Sequence, residues 1–438
     1  MSARLLVSGG TVLSLDRAVG NLQSGDVLVE DGVITEVGTS LRARNVERID
    51  ATDAVVMPGF VDTHRHAWHS LLRHLGLTST PIAPASVGPH YRPDDVYAAT
   101  LVGLLGALRA GITTVVDWAD VSNELPHVEA ALQAHADAGA RTVFVAAAPE
   151  WRGGAPDPAV VSHLLADDQR PIRTPAVGLD GDDAEPWGAA RRHGVRIFAH
   201  SRAQAGAAHA AAGPATGAVA ALGDAGLLGP DVTLVHHTNL DERDLDAIAS
   251  AGAAVSLAPT TEMSAGTGWP PLQAFIDRGI RPGLAVGSEM ESPGDLFAQM
   301  RLANSSQHAR VFDLKLSGKG GIPNLLNTRD VIRYATIDGA TAIGLGELTG
   351  SLAPGKRADL VVLRADRPNI APVNDPIGAV VWGMDTSNID WVIVDGRVVV
   401  RHGEPVADVA RARELAATAH HDVMTAAGLL AGVGAGHR

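Results

Sequence analysis

Three histidines, His64, His66 and His69, fall within six positions of the segment Pro58–Ser70, PGFVDTHRHAWHS. The apolar run before them, VVMPGFVD, has the make-up of a buried strand. Alternate residues of a strand point to the same side, so His64 and His66 would send both imidazoles one way. That arrangement suits two ligands on one ion, since neutral imidazole is a good donor for zinc, iron, manganese or nickel. A His-x-His pair alone is weak, because such pairs also stand on solvated loops. Two further strand-like runs strengthen it: GVRIFAHS ends on His200, and DVTLVHHTN ends on His236 and His237. Strand ends that finish in histidine and surround one mouth would share a site. The competing reading is a set of unrelated polar strand ends.

Several chemistries are excluded by composition. The 438 residues include no cysteine, so disulfides, thiolate zinc and a cysteine nucleophile are absent, and any ion must be held by nitrogen and oxygen. The net charge of −14 argues against nucleic acid and anionic membranes as partners. It leaves a small-molecule substrate, neutral or cationic, open. The N-terminal stretch MSARLLVSGGTVLSLD lacks the basic head and apolar run of a signal peptide, and no uninterrupted apolar stretch reaches spanning length. The expectation is a soluble cytoplasmic protein, with a homodimer as the base-rate assembly.

The elements that would position these histidines alternate. AGITTVVDW, ARTVFVAAAPEW, GVRIFAHS, DVTLVHHTN, AGAAVSLAP and GIRPGLAVGSE are short buried-strand runs, several preceded by Ala-rich helical stretches ending in Gly. The order predicts an α/β fold with a parallel sheet and crossover helices. The number of units fits a (β/α)8 TIM barrel, whose sites collect at the C-terminal ends of the strands. An open doubly wound sheet is the alternative, without a phosphate-binding glycine motif to support it. Both chain ends are β-rich and carry Asp-Gly turn signals, as in VEDGVITEV and VIVDGRVVV. They read either as one small composite β-sandwich or as two separate extensions.

In these motifs the chain resembles the amidohydrolase superfamily of metal-dependent hydrolases, nearest its cytosine-deaminase and chlorohydrolase-like branch. PGFVDTHRH is similar to that family's first-strand motif, FAHS and LVHH to its fifth and sixth strand ends, and LAPGKRADLVVL and VIVDGRVV to its C-terminal sandwich strands. The likeness covers about residues 3–405. It implies a composite β-sandwich from residues 1–57 and 346–405, a catalytic (β/α)8 barrel over 58–345, and a helical tail over 406–438. It also implies His64, His66 and His200 as metal ligands and His236 as the residue that contacts substrate or the attacking water. No lysine precedes Lys315, so the carboxylated-lysine bridge of binuclear members is unavailable and one divalent transition metal is expected: zinc first, iron or manganese as alternatives.

The resemblance breaks in two places. The family's eighth-strand aspartate, a weak metal ligand and proton acceptor, aligns with Gly287. The glutamate of its His-x-x-Glu motif aligns with Ala203. Three readings follow. A three-histidine site could keep its metal and take its base from a nearby carboxylate, with Glu289 first and Glu291 and Glu262 as further candidates. The scaffold could be repurposed, with or without metal, as a lyase or decarboxylase, isomerase or cyclase. Or the chain could be a non-catalytic small-molecule binder. The first leads: metal-assisted hydrolysis of a C–N bond, by deamination or amide opening, on a small cyclic substrate.

Around the mouth, Trp68, Trp118, His69 and Glu262 are candidate substrate contacts. For the tryptophans the competing role is packing; for His69 it is a solvated or capping histidine, the role favoured for His74. Asp117 and Glu150 read as structural hydrogen-bonding groups and His237 as pointing away from the mouth. Asp295 reads as a cap or turn residue. The Ala/Gly-rich stretch after Ala203 reads as compositional bias, with a lid as the alternative.

Overall fold

The computed structural model describes residues 4–78, 81–122, 124–166, 172–179, 182–200 and 216–429. Ala203 and most of the Ala/Gly-rich stretch that follows it lie outside these.

Both chain ends build one nine-stranded sheet. Strand Ala54–Pro58 runs antiparallel to Leu360–Arg364, pairing Pro58 with Leu360 and Ala54 with Arg364, and so joins the N-terminal strands to the C-terminal ones. The Asp-Gly signals become two-residue hairpin turns. Asp31 and Gly32 have φ of 50° and 79°, and Asp395 and Gly396 of 53° and 75°, the left-handed pair that such a turn requires. One apolar core lies beneath, with Val27, Val29 and Ile34 from one end of the chain meeting Leu360, Val362 and Ile393 from the other.

The second sheet is an eight-stranded parallel barrel. Its strands, in order, are Phe60–Arg65, Ile112–Trp118, Arg141–Ala146, Arg173–Leu179, Arg196–His200, Val232–Val235, Ala254–Leu257 and Gly283–Leu284. The eighth closes on the first beyond its regular stretch: Gly287 N donates to His64 O at 2.9 Å, and His66 N donates to Gly287 O at 3.1 Å. Helices between strands begin and end as the sequence dictates. Asp241 caps helix Glu242–Ala251 and Gly252 ends it at φ 67°, while Asp295 caps Leu296–Leu316. The final helix, Val409–Ala426, buries Ala419, Val423 and Met424 in a core shared with Val96 and Ala99 of helix Pro93–Arg109. Among the described residues no helix is long and apolar enough to cross a membrane.

Barrel and terminal sheet are locked together at the N-terminal end of the third strand. Arg141, fully buried, gives its Nε to Asp359 at 2.5 Å and a terminal nitrogen to Asp395 at 2.9 Å; Asp359 also accepts the Asp395 backbone N–H.

A candidate metal centre at the barrel mouth

The first strand is irregular near its end, where its pairing with the second shifts between Asp62 and Arg65, so its polar residues do not follow strict alternation. His64 and His66 point into the mouth. Asp62 and Arg65 form a buried ion pair at 2.7 Å. His200 ends the fifth strand, and together His64, His66 and His200 offer ligand atoms that lie within 4.8 Å of one another. The ring centre of His236 stands 4.9 Å from that of His64 and 5.2 Å from that of His200. His236 follows the sixth strand in the left-handed region, at φ 59°, an uncommon backbone state for a residue with a side chain.

Two of these imidazoles are oriented by carboxylates. His66 Nδ1 lies 3.2 Å from Asp120 Oδ1, which also accepts the Trp68 indole N–H at 2.7 Å. A carboxylate accepts only, so Nδ1 carries the hydrogen and His66 Nε2 keeps a free lone pair. His236 Nδ1 is held in the same way by Glu262 Oε1 at 3.1 Å. His64 is different. It is wholly buried, and neither ring nitrogen has a hydrogen-bond partner. Burial, then the neighbouring His236, His66, His200 and His69, hold its pKa well below the usual histidine value. Burial opposes protonation of His66 too, but Asp120, Glu150 and Asp117 outweigh it and raise its pKa. A neutral imidazole with two stranded nitrogens, beside two others within ligating reach, is a donor set that fits a divalent metal ion.

The other candidates divide. Trp118 walls the cluster, its ring 5.1 Å from His200 and 5.5 Å from His64. His69 stacks on His66 at 4.5 Å, with Nδ1 3.0 Å from Ser288 Oγ and Nε2 buried without a partner. Three expectations need correction. Trp68 is 1% exposed, wedged against Tyr91 and Trp151, and supports Asp120 instead of facing a substrate, because it falls in the turn of 3-10 helix Ala67–Leu72 that packs outward. Glu262 is 1% exposed and supports His236, where a substrate contact was expected. Glu289 does not join the histidines at all. Its carboxylate is clamped between Arg65 at 3.2 Å and Arg73 at 3.0 Å. The reason lies at Gly287, whose φ of 74° turns the chain and ends the strand alternation that would have carried residue 289 inward.

Asp117 bonds the Ala67 N–H and His135, a buried support for the chain after the metal motif. His237 keeps its Nδ1 buried and unpartnered, and burial pushes its pKa down to about 4. His74 is exposed. The sequence reading missed Asp120; its one signal is an acidic residue placed just after the second strand, in DWAD.

The family model described as the amidohydrolase family matches residues 55–399. The 5'-deoxyadenosine deaminase of Methanothermobacter thermautotrophicus is 27% identical over 423 residues, covering 91% of this chain and 94% of that one. The 5-methylthioadenosine/S-adenosylhomocysteine deaminase of Pelotomaculum thermopropionicum is 27% identical over 426 residues, covering 91% and 93%. Among solved structures, a zinc-bound adenosine deaminase from Xanthomonas campestris superposes with a TM-score of 0.80 at 20% identity, covering 97% and 99% of the two chains. The zinc complex of atrazine chlorohydrolase from Arthrobacter aurescens TC1 gives 0.78 at 23%, covering 95% and 100%. These structures share the fold of this chain.

Proposed function

The chain belongs to the amidohydrolase family, and from that premise we propose that it is a metal-dependent hydrolase that removes an amino group from a small nitrogen heterocycle. The observation that carries the reading is His64, buried with both ring nitrogens unpartnered beside His66 and His200. These three would hold the ion. Zinc is the first choice because imidazole-only sites suit it and structural neighbours carry it. When bound, such an ion supplies a Lewis acid that brings the pKa of a water ligand to about 7.

The chain's own residues supply orientation. Asp120 fixes His66 as the Nδ1–H tautomer, so that Nε2 faces the ion. Glu262 fixes His236 in the same tautomer. Its Nε2 can then accept a hydrogen bond from a substrate N–H or from water, and Glu262 stabilises the imidazolium if His236 takes up a proton. Trp118 offers a flat face beside the cluster on which a heterocycle can lie. The adenine-bearing substrates in the names of the sequence relatives place purine nucleosides first among those to try.

Two measurements test this. Protein purified without chelator or added metal should contain about one transition-metal equivalent by mass spectrometry. It should also release ammonia from at least one member of a panel holding 5'-deoxyadenosine, 5-methylthioadenosine, adenosine, cytosine and aminotriazines. Absence of metal, with no uptake of added zinc, iron or manganese, defeats the reading. Product of unchanged mass, or lacking carbon dioxide, would point instead to isomerase or lyase chemistry.

A further inference from the structure

Helix Leu296–Leu316 follows the eighth strand and returns along the barrel wall. Its inner face buries Phe297, Met300, Asn304, Gln307 and Val311. Its outer face changes character near the end. Phe312 and Leu316 stand one turn apart there, both exposed. The segment that follows comes back beside the helix and exposes Ile322 and Leu325. Its position is fixed by hydrogen bonds. His308 Nε2 lies 2.7 Å from Leu326 O, and Gln307 bonds Asn324 O at 2.9 Å and Leu326 N at 3.0 Å. The His308 ring is 6.4 Å from that of Phe312, so the returning segment borders the apolar ridge. Leu316 is 88% exposed. Among the described residues ten large apolar side chains are exposed, and these four, all within positions 312–325, form one group. Exposed apolar residues scattered singly need no explanation, but grouped on one face they mark a surface made to be covered.

The charges beside the ridge say what covers it. At about 100° per residue, Asp313 falls on one flank of the Phe312–Leu316 line and Lys315 on the other. Both are exposed, and neither has an ion-pair partner among the described residues. An apolar line with an acid on one side and a base on the other is complementary to itself. When two such helices lie side by side and parallel, about a two-fold axis along their direction, the flanks exchange, and Asp313 of each copy faces Lys315 of the other.

We propose that this face joins two copies of the chain into a homodimer, with Phe312, Leu316, Ile322 and Leu325 at the centre of the contact and two Asp313–Lys315 pairs at its rim. The net charge of −14 opposes association through faces that would set acid against acid. Here the exposed ions from 313 to 319 are Asp313, Lys315 and Lys319, so no acidic surplus opposes the contact. Phe312 stands about 24 Å along the helix from Leu296, which leaves the barrel mouth open in the dimer. The inference stands independently of the hydrolase reading.

Sedimentation velocity on the full-length chain tests it, with circular dichroism as the control for folding. The wild type should sediment at twice the chain mass of 45.2 kDa. Leu316→Glu, at a side chain already in solvent, should sediment as a monomer with an unchanged spectrum. Asp313→Lys sets like charges against each other and should weaken the dimer by about 5–30-fold. Asp313→Lys combined with Lys315→Asp in the same chain should restore it. A wild type that stays monomeric at tens of micromolar overturns the proposal, as does a dimer that survives Phe312→Asp and Leu316→Glu together. An unchanged dimer in Asp313→Lys, or no recovery in the exchanged pair, overturns the side-by-side arrangement.

Discussion

Two buried polar clusters stand at opposite ends of the barrel strands, and they are built by opposite rules. At the N-terminal end, Arg141, Asp359, Asp395 and Arg357 bond one another in a closed set of charges joining barrel to terminal sheet. At the C-terminal end, His64 keeps both ring nitrogens unpartnered, and His69 Nε2 and Glu262 Oε2 are stranded beside it. A buried polar group without a partner costs about 1–3 kcal/mol relative to a bonded one. The lower cluster has settled that cost internally. The upper one leaves it open for a ligand to meet. Of these two buried clusters, the unsatisfied one is the one at the barrel mouth.

The contrast is sharpest when each cluster loses its central member. His64→Leu removes a ligand and a stranded imidazole together. Metal content should fall from one equivalent to near zero and turnover to background, the largest effect expected here. The metal-free protein should nevertheless become more stable, by about 1–3 kcal/mol. The pH dependence follows in sign. The folded chain holds His64 and His69 neutral, with pKa values well below the usual 6.5, so the unfolded chain takes up protons first. The part of the metal-free protein's stability that depends on these two groups is complete above about pH 6.5 and is lost as pH falls below it; His64→Leu should flatten that slope. Thermal melts across pH with chelator present read both effects, and a destabilised His64→Leu protein would break the comparison.

Asp359→Ala should do the reverse. It takes from the buried Arg141 guanidinium the carboxylate that holds its Nε and leaves Asp395 as its charged partner, at a cost of up to about 3–5 kcal/mol. The folded fraction should retain its full metal content, since the lock lies at the other end of the strands. Chemical denaturation paired with metal analysis checks this. Loss of metal from protein that is still folded would show the two clusters to be coupled.

Asp120→Asn probes the upper cluster more gently. The amide keeps the shape but can present its NH2 to His66 Nδ1, which disturbs the tautomer that Asp120 sets. Metal affinity should fall about 10–100-fold, with little change in melting temperature. Competition with a chelator of known affinity gives the number. Unchanged affinity would mean that His66 is oriented by its packing on His69 and Trp118 instead.

How much of this could be read from the chain depended on the distance over which alternation holds. The barrel, the composite sheet and its Asp-Gly hairpins are local signals repeated many times, and the structure has them. His64 and His200 lie at strand ends and His66 and His236 directly follow them, so their place at the mouth follows from position, although the left-handed backbone of His236 does not. Past the strand ends the rule stops. Trp68 turns outward in a 3-10 helix, Asp120 comes inward from a loop, and the Gly287 turn sends Glu289 to two arginines. Each depends on a backbone angle or a distant partner that no short window of sequence contains.

Gly287→Asp gives the smallest of these effects and tests that last point. From sequence alone the substitution looks like a restoration of the family's carboxylate. The structure predicts otherwise. The position has φ 74°, where a side chain costs about 1–2 kcal/mol, less for aspartate than for most residues. A Cβ there would also stand 2.9 Å from Thr261 Oγ1 and 3.0 Å from Ala258 Cβ, so Thr261 would have to give up its bond to the Val286 carbonyl or move with it. The variant should lose about 1–2 kcal/mol of stability, keep its metal and gain no hydrolytic rate. A clear gain would mean that the loop can rebuild a strand-borne base.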